Sequence, residues 1–197
     1  MNSHAQRKHL IGELAKLDMT VTSVVVLKPP LVGSGTGLSD PASMYNYAIR
    51  RLIERISWYV DDAGGEASVT FAHVHRFPYD RLRSYLRLLQ AQRTSIRWPA
   101  FTGDPKIDQP NRVRPLQVAD LVAGAFGSAL RPDRFGNYEP SYILQLAPRV
   151  YLPYPDAKIT SYGLNCTAPA EHLHAFPWWA TFVAACAAGR EAGAGPA

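Results

Sequence analysis

Residues 20–28, TVTSVVVLK, form a nearly unbroken β-branched run that ends against Pro29 and Pro30. A strand with one wet face alternates polar and apolar residues, so a run without a polar face reads as a strand covered on both sides. Such a strand needs helices above and below its sheet, which confines the chain to layered α/β architectures. A second strand, ASVTFAHV at residues 67–74, follows the same reading.

Helical periods alternate with these strands. Residues 8 to 17 predict a short helix. Ser39 or Asp40 supplies an N-cap with Pro41 in the first turn, and Tyr45, Ala48, Ile49, Leu52, Ile53, Ile56 and Val60 then recur at helical spacing until Asp61–Gly65 closes the segment. Residues 79 to 92 place Leu82, Tyr85, Leu86 and Leu89 inward and Arg81, Arg83 and Arg87 outward. The tract that follows reads as loop with one short strand at Ser95 to Trp98. Residues 131–155 show no period, a final short helix starts near Pro177, and GREAGAGPA reads as a frayed tail. Gly33, Gly35 and Gly37 lack both the Walker and the dinucleotide-binding spacing, so they read as a flexible connector.

With 197 residues, 47% of them hydrophobic and 19% charged, the chain suits one globular domain. A net charge of +5, carried mostly by arginine, favours an anionic partner. Cys166 and Cys186 form no CxxC and read as two reduced, buried thiols. MNSHAQRKH lacks the apolar core of a secretory signal, and AFPWWATFVAACAAG is short and contains a proline. No membrane segment and a cytoplasmic location are the expectation.

The helix LQVADLVAGAF, residues 116–126, carries one carboxylate, Asp120, among apolar and small residues. Burying an unpartnered carboxylate costs several kcal/mol or more, so a partner is required. Gln117, Ala123, Gly124 and Gly127 share its face at helical spacing, and these small residues are expected to seat the helix on the sheet with Asp120 aimed at a strand end. Asp120 then pairs with an arginine such as Arg112 or Arg114, or serves as a metal ligand. His73 and His75 alternate at the end of the second strand, with Arg76 beside them, and suit metal binding, proton transfer or phosphate contact as well as an ordinary strand end. Arg51/Arg55 and Arg83/Arg87 set like charges four residues apart, which favours either solvated faces or an anion lying across each pair. Nucleic acid is such an anion, and Arg51 with Arg55 is expected to carry more of its binding than Arg131 with Arg134.

LQVADLVAGA, with YNYAIRRLIERISW and ASVTFAHVHRFPYDRLRSYLRLL, resembles the DUF3800 family of uncharacterised bacterial and phage proteins over about residues 5 to 150. The resemblance implies an α/β fold of ribonuclease H-like type, a mixed sheet flanked by helices, whose acids hold Mg²⁺ or Mn²⁺ for phosphodiester cleavage. On it, Asp120 matches the acid of the late helix; beside it Gln117 and His73 are the candidate catalytic residues, and Glu13 on the first helix is either a second metal-binding acid or a solvated helix-face glutamate. His75, Arg76, Arg51, Arg55, Arg83 and Arg87 are the expected nucleic-acid contacts. The family opens on a strand with a Tyr-Asp-Glu-Ser-Gly type motif that is absent here, and Lys28 stands at the end of the first strand. The implied organisation is an N-terminally incomplete domain at 1–150 and an irregular C-terminal extension at 151–197. Its function is that of a metal-dependent nuclease-type domain, or of an inactive or split-gene remnant that binds nucleic acid or a protein. An open sheet edge would recruit a second copy or a partner strand.

Overall fold

The first two helices begin where the sequence supplies side-chain caps. The structure, a computed structural model, describes residues 3–27, 38, 40–74, 78–167 and 170–193. Lys28, Pro29, Pro30, the Gly33–Gly37 segment, Ser39, His75 and Arg76 lie outside the described residues. Helix α1, His4–Leu14, starts and stops earlier than the expected 8 to 17. The reason is a capping box, in which the Gln6 N–H donates to Ser3 Oγ at 3.3 Å and the Ser3 N–H donates to Gln6 Oε1 at 2.8 Å. Helix α2, Pro41–Asp62, is capped by Asp40, whose side chain accepts from Ala42 and Ser43. Helix α3, Tyr79–Ala91, buries Leu82, Leu86 and Leu89 as its period predicts.

The strands are shorter than the apolar runs. Strand β1 is Ser23–Val25, half-buried rather than covered on both faces, and the next described strand, β2, is Thr70–Ala72. Strand β3, Lys106–Asp108, falls in the tract read as loop, whereas Ser95 to Trp98 forms no strand. Helix α4 is Arg114–Leu130, α5 is Ser141–Leu146, strand β4 is Leu164–Cys166, α6 is Ala170–His174 and α7 is Trp179–Gly193. Among the described residues the strands form two separate two-stranded sheets, β1 with β4 and β2 with β3. The fold is therefore mixed α/β with small parallel sheets.

Two compact units interleave along the chain. One comprises Met1–Ser23, Gln117–Leu164 and Pro169–Ala197, the other Val24–Leu116 and Asn165–Ala168. Both draw on residues 1–150, where a single domain was expected. In the first unit, Val122, Ala125, Phe126 and Ala129 of α4 are buried, as are Ile143 and Leu146 of α5 and Phe182 of α7. Phe126 meets Phe182 edge-on with ring centroids 6.1 Å apart. Cys186 is buried there with its thiol pushed up to about 12 by desolvation, while Cys166 is half-buried; neither forms a disulfide among the described residues. Among the described residues, no helix is long and apolar enough to cross a membrane.

Far from fraying, GREAG continues α7 to Gly193. The cause is close approach: a Cβ at Gly189 would run into the backbone of Pro148, in the 3₁₀ turn Ala147–Arg149. Gly124, by contrast, lies on an exposed stretch of α4 where an added Cβ meets nothing within 4 Å. Gly189→Ala should therefore cost about 1–3 kcal/mol by overpacking, whereas Gly124→Ala should gain about 0.5–1 kcal/mol from helix propensity. Urea unfolding of both variants checks this, and equal effects would refute it.

Candidate nucleic-acid interface

The second unit builds a groove from the register of its two strands. Parallel pairing sets Thr70 against Lys106, Phe71 against Ile107 and Ala72 against Asp108. Side chains alternate across a strand, so Phe71 and Ile107 turn to the apolar cluster of Ile49, Ile53, Leu82, Leu86 and Leu89, while Lys106 is exposed. Past the end of β2, the His73 N–H donates to the Asp108 carbonyl at 2.8 Å and holds that histidine beside β3. The result is an open depression of about 740 Å³ lined by His73, Tyr79, Arg83, Asp104, Pro105, Lys106 and Ile107. A narrower pocket with Phe71, Leu82 and Leu86 in its wall adjoins it, and Arg87 and Gln90 also line that pocket.

The charge on this groove is mainly positive. Arg83, Arg87 and Lys106 are exposed and make no ion pair among the described residues, and Asp104 is the one acid in the lining. The Arg83 guanidinium sits 4.8 Å from the centroid of the Tyr79 ring, a cation–π contact that fixes its direction at the mouth.

Arg51 and Arg55 do not belong to that surface. Their like charges are indeed spanned by an anion, and it is Glu54 of the same helix. Arg55 Nη1 lies 2.9 Å and Arg51 Nη1 3.0 Å from Glu54 Oε2, with Arg55 4% and Glu54 3% exposed. Burial pushes the Arg55 guanidinium down against the attraction of Glu54. Desolvation likewise opposes charge on Glu54, but hydrogen bonds from Ser95 and Arg51 and the nearby guanidiniums outweigh it and hold the carboxyl below its ordinary value. The knot extends outward: Ser57 Oγ donates to the Glu54 carbonyl at 2.7 Å and accepts from the Arg97 N–H at 3.0 Å, and Trp58 Nε1 donates to the Ser95 carbonyl at 2.8 Å. These bonds lay residues 95–97 along α2, which is why they form no strand.

Asp120 is exposed, and so are Gln117, Ala123, Gly124 and Gly127. The small-residue face of α4 is its outer face and the large apolar residues form the inner one, which reverses the expected orientation. Asp120 thus escapes the desolvation cost that made a partner necessary. Glu13 is exposed and paired with Lys16 at 2.6 Å, and Lys16 lowers its pKa. No group of three His, Cys, Asp or Glu side chains suited to a metal ion occurs among the described residues. His73, Arg83 and Arg87 are brought together at the groove, while Asp120, Gln117 and Glu13 belong to the other unit. Lys106 and Asp104 were missed because a three-residue strand, GDP-KID, leaves no alternation to read; its one signal is Ile107 between two charges.

No family model, no curated protein and no solved structure matches the chain.

The buried knot makes a prediction of its own. A carboxyl whose folded pKa is depressed adds stability above its unfolded value, near 4.5, and that stability is lost as pH falls through the folded pKa. Stability should drop on the acid side of this window, with a shallower acid limb in Glu54→Gln, which should also lose about 3–5 kcal/mol at neutral pH by leaving Arg55 uncompensated. Urea titrations from pH 3 to 7 test both points.

Proposed function

We propose that the chain is a nucleic-acid-binding domain of ribonuclease H-like, DUF3800 type, which holds phosphates in the groove of His73, Arg83, Arg87 and Lys106. The observation that carries this reading is two exposed cations without an ion pair among the described residues, Arg83 and Lys106, on one open depression beside a parallel strand pair, with a third, Arg87, in the pocket that adjoins it. Exposed arginine and lysine exchange counterions for phosphates at little desolvation cost, and Tyr79 beneath Arg83 offers a surface for sugar or base. Arg51 and Arg55 are left out, because both already pair with Glu54 and Arg55 is buried. His75 and Arg76 stay in the proposal on sequence alone.

A second reading is metal-dependent phosphodiester cleavage with Mg²⁺ or Mn²⁺. What favours it is the accessibility of Asp120 and Gln117, side by side on a helix face with nothing near Gly124 or Gly127 to block a substrate. Two-metal cleavage needs further carboxylates converging on the ions. Self-association remains part of the proposal, since β2 and β3 each pair with one strand among the described residues and so present an open edge.

Anisotropy with labelled single-stranded, duplex and hybrid oligonucleotides should show affinity falling steeply with salt. Arg83→Gln and Lys106→Gln should each reduce the log-log slope by about 0.7–0.9. A flat salt dependence in the wild type would sink the reading. With Mg²⁺ or Mn²⁺ present, cleavage abolished by Asp120→Asn would support the catalytic alternative; salt-sensitive binding without cleavage supports the first reading.

A further inference from the structure

The turn between α4 and α5 displays the most exposed large apolar residue of the chain's described part, Phe135, at 71%. The turn is internally braced. Asp133 Oδ1 accepts the N–H groups of Phe135 at 2.8 Å and Asn137 at 2.9 Å, and the Asp133 N–H donates to the Asn137 carbonyl at 2.8 Å. Gly136 takes the left-handed backbone this closure requires, with φ 85°. The base of the turn is anchored in its own unit, where the Glu139 N–H donates to the Ser128 carbonyl at 2.9 Å and Tyr138 meets Phe176 edge-on at 5.3 Å. Phe135 is therefore held out rather than left out: bracing fixes the backbone that presents it.

Its neighbours give the ring a chemistry. The Arg134 guanidinium lies 4.6 Å from the ring centroid, and Arg131, three residues earlier in the same turn, is exposed; neither makes an ion pair among the described residues. The one acid of the turn, Asp133, is turned inward onto backbone N–H groups, and those of Asn137 and Phe135 hold its carboxyl below the usual range. We propose that the turn Arg131–Tyr138 is a single-stranded nucleic-acid contact, in which an unpaired base stacks on Phe135 and flanking phosphates lie against Arg131 and Arg134. This rests on the nucleic-acid reading above and adds a second, base-stacking site to it.

The observations favour a base over a protein partner. A stable protein interface covers about 800 Å² per side around a dry apolar core, whereas this turn offers one largely exposed ring, with Arg134 over it, among charged and polar residues. One ring suffices for a base, because every base has a π-face. Stacking also needs an unpaired base, so the site selects single strands over blunt duplex.

The test uses the full chain and a short single-stranded oligonucleotide bearing 2-aminopurine, with a blunt duplex of the same sequence as comparison. The wild type should quench the probe. Phe135→Ala should abolish the quench and weaken single-strand binding about tenfold, with the salt slope and duplex affinity unchanged, and Phe135→Trp should restore both. Arg131→Gln with Arg134→Gln should instead reduce the salt slope. If Phe135→Ala binds like wild type while Arg83→Gln with Lys106→Gln binds weakly, the turn proposal falls and the groove stands. The converse result removes the groove and keeps the turn. A wild type that binds neither probe overturns both. Sedimentation showing that Phe135→Ala breaks self-association, with oligonucleotide affinity unchanged, would make the turn a protein contact and overturn the proposal.

Discussion

The carboxylate of Glu54, buried between two guanidiniums, sets the geometry of its unit. Its helix turn presents Ser57 Oγ to the Arg97 N–H, and Trp58 reaches the Ser95 carbonyl, so the chain after α3 is tied along α2. That tie places the 3₁₀ turn Trp98–Ala100, whose Ala100 carbonyl accepts the Ala67 N–H at 2.9 Å; the Thr102 N–H returns to the Ala67 carbonyl at 2.9 Å. The ladder then runs on through the Lys106 N–H to the Val69 carbonyl at 2.8 Å and into β2 and β3. Register follows from a polar knot rather than from apolar alternation. A slip of one residue would bury Lys106 and expose Ile107, removing a groove cation and a core residue together.

This dependence explains what the sequence made legible in this unit. Helices α2 and α3 announce themselves, because Asp40 and Pro41 mark a start and Leu82, Leu86 and Leu89 repeat over many turns. Strands of three residues carry no such statistics. The run of residues 20–28 overstated its strand: β-branched residues state a preference for extended backbone, and one partner strand satisfied only Ser23–Val25 of it. The strand that shapes the groove, Lys106–Asp108, is specified by bonds from a helix more than forty residues earlier, which no local pattern records.

Helix α4 was misread for a different physical reason. Ala119, Ala123, Gly124 and Gly127 count as apolar, so the window around Asp120 looked buried on every side. Small side chains bury little area, however, and their exposure costs little. The orientation is decided by Val122, Phe126 and Leu130, which recur at i+4 on the opposite face and are all buried. Weighted by area removed from water, the helix is amphipathic with a small-residue outer face, and Asp120 belongs there without needing a partner. The length of α7 follows the same logic: its Phe182 packs with Phe126 far away in sequence, and Gly189, which reads as a breaker, permits close approach instead.

Arginine spacing on a helix tells which face a charge occupies, not whether the fold has already used it. Arg51 and Arg55 had the stronger pattern, and Glu54 consumes both. Arg97 had none, and Asp61 and Asp62 hold it at 2.8 and 2.6 Å. Arg83, Arg87, Lys106, Arg131 and Arg134 are among the charges that remain exposed without an ion pair among the described residues, and of these Arg83 and Arg134 each lie over an aromatic ring. An internal carboxylate and an external phosphate compete for the same guanidinium, and a buried pair wins that competition because opening it strands a charge in the core. The fold therefore engages Arg51 and Arg55 from within, and leaves Arg83 over Tyr79 and Arg134 over Phe135 without an acid of their own among the described residues.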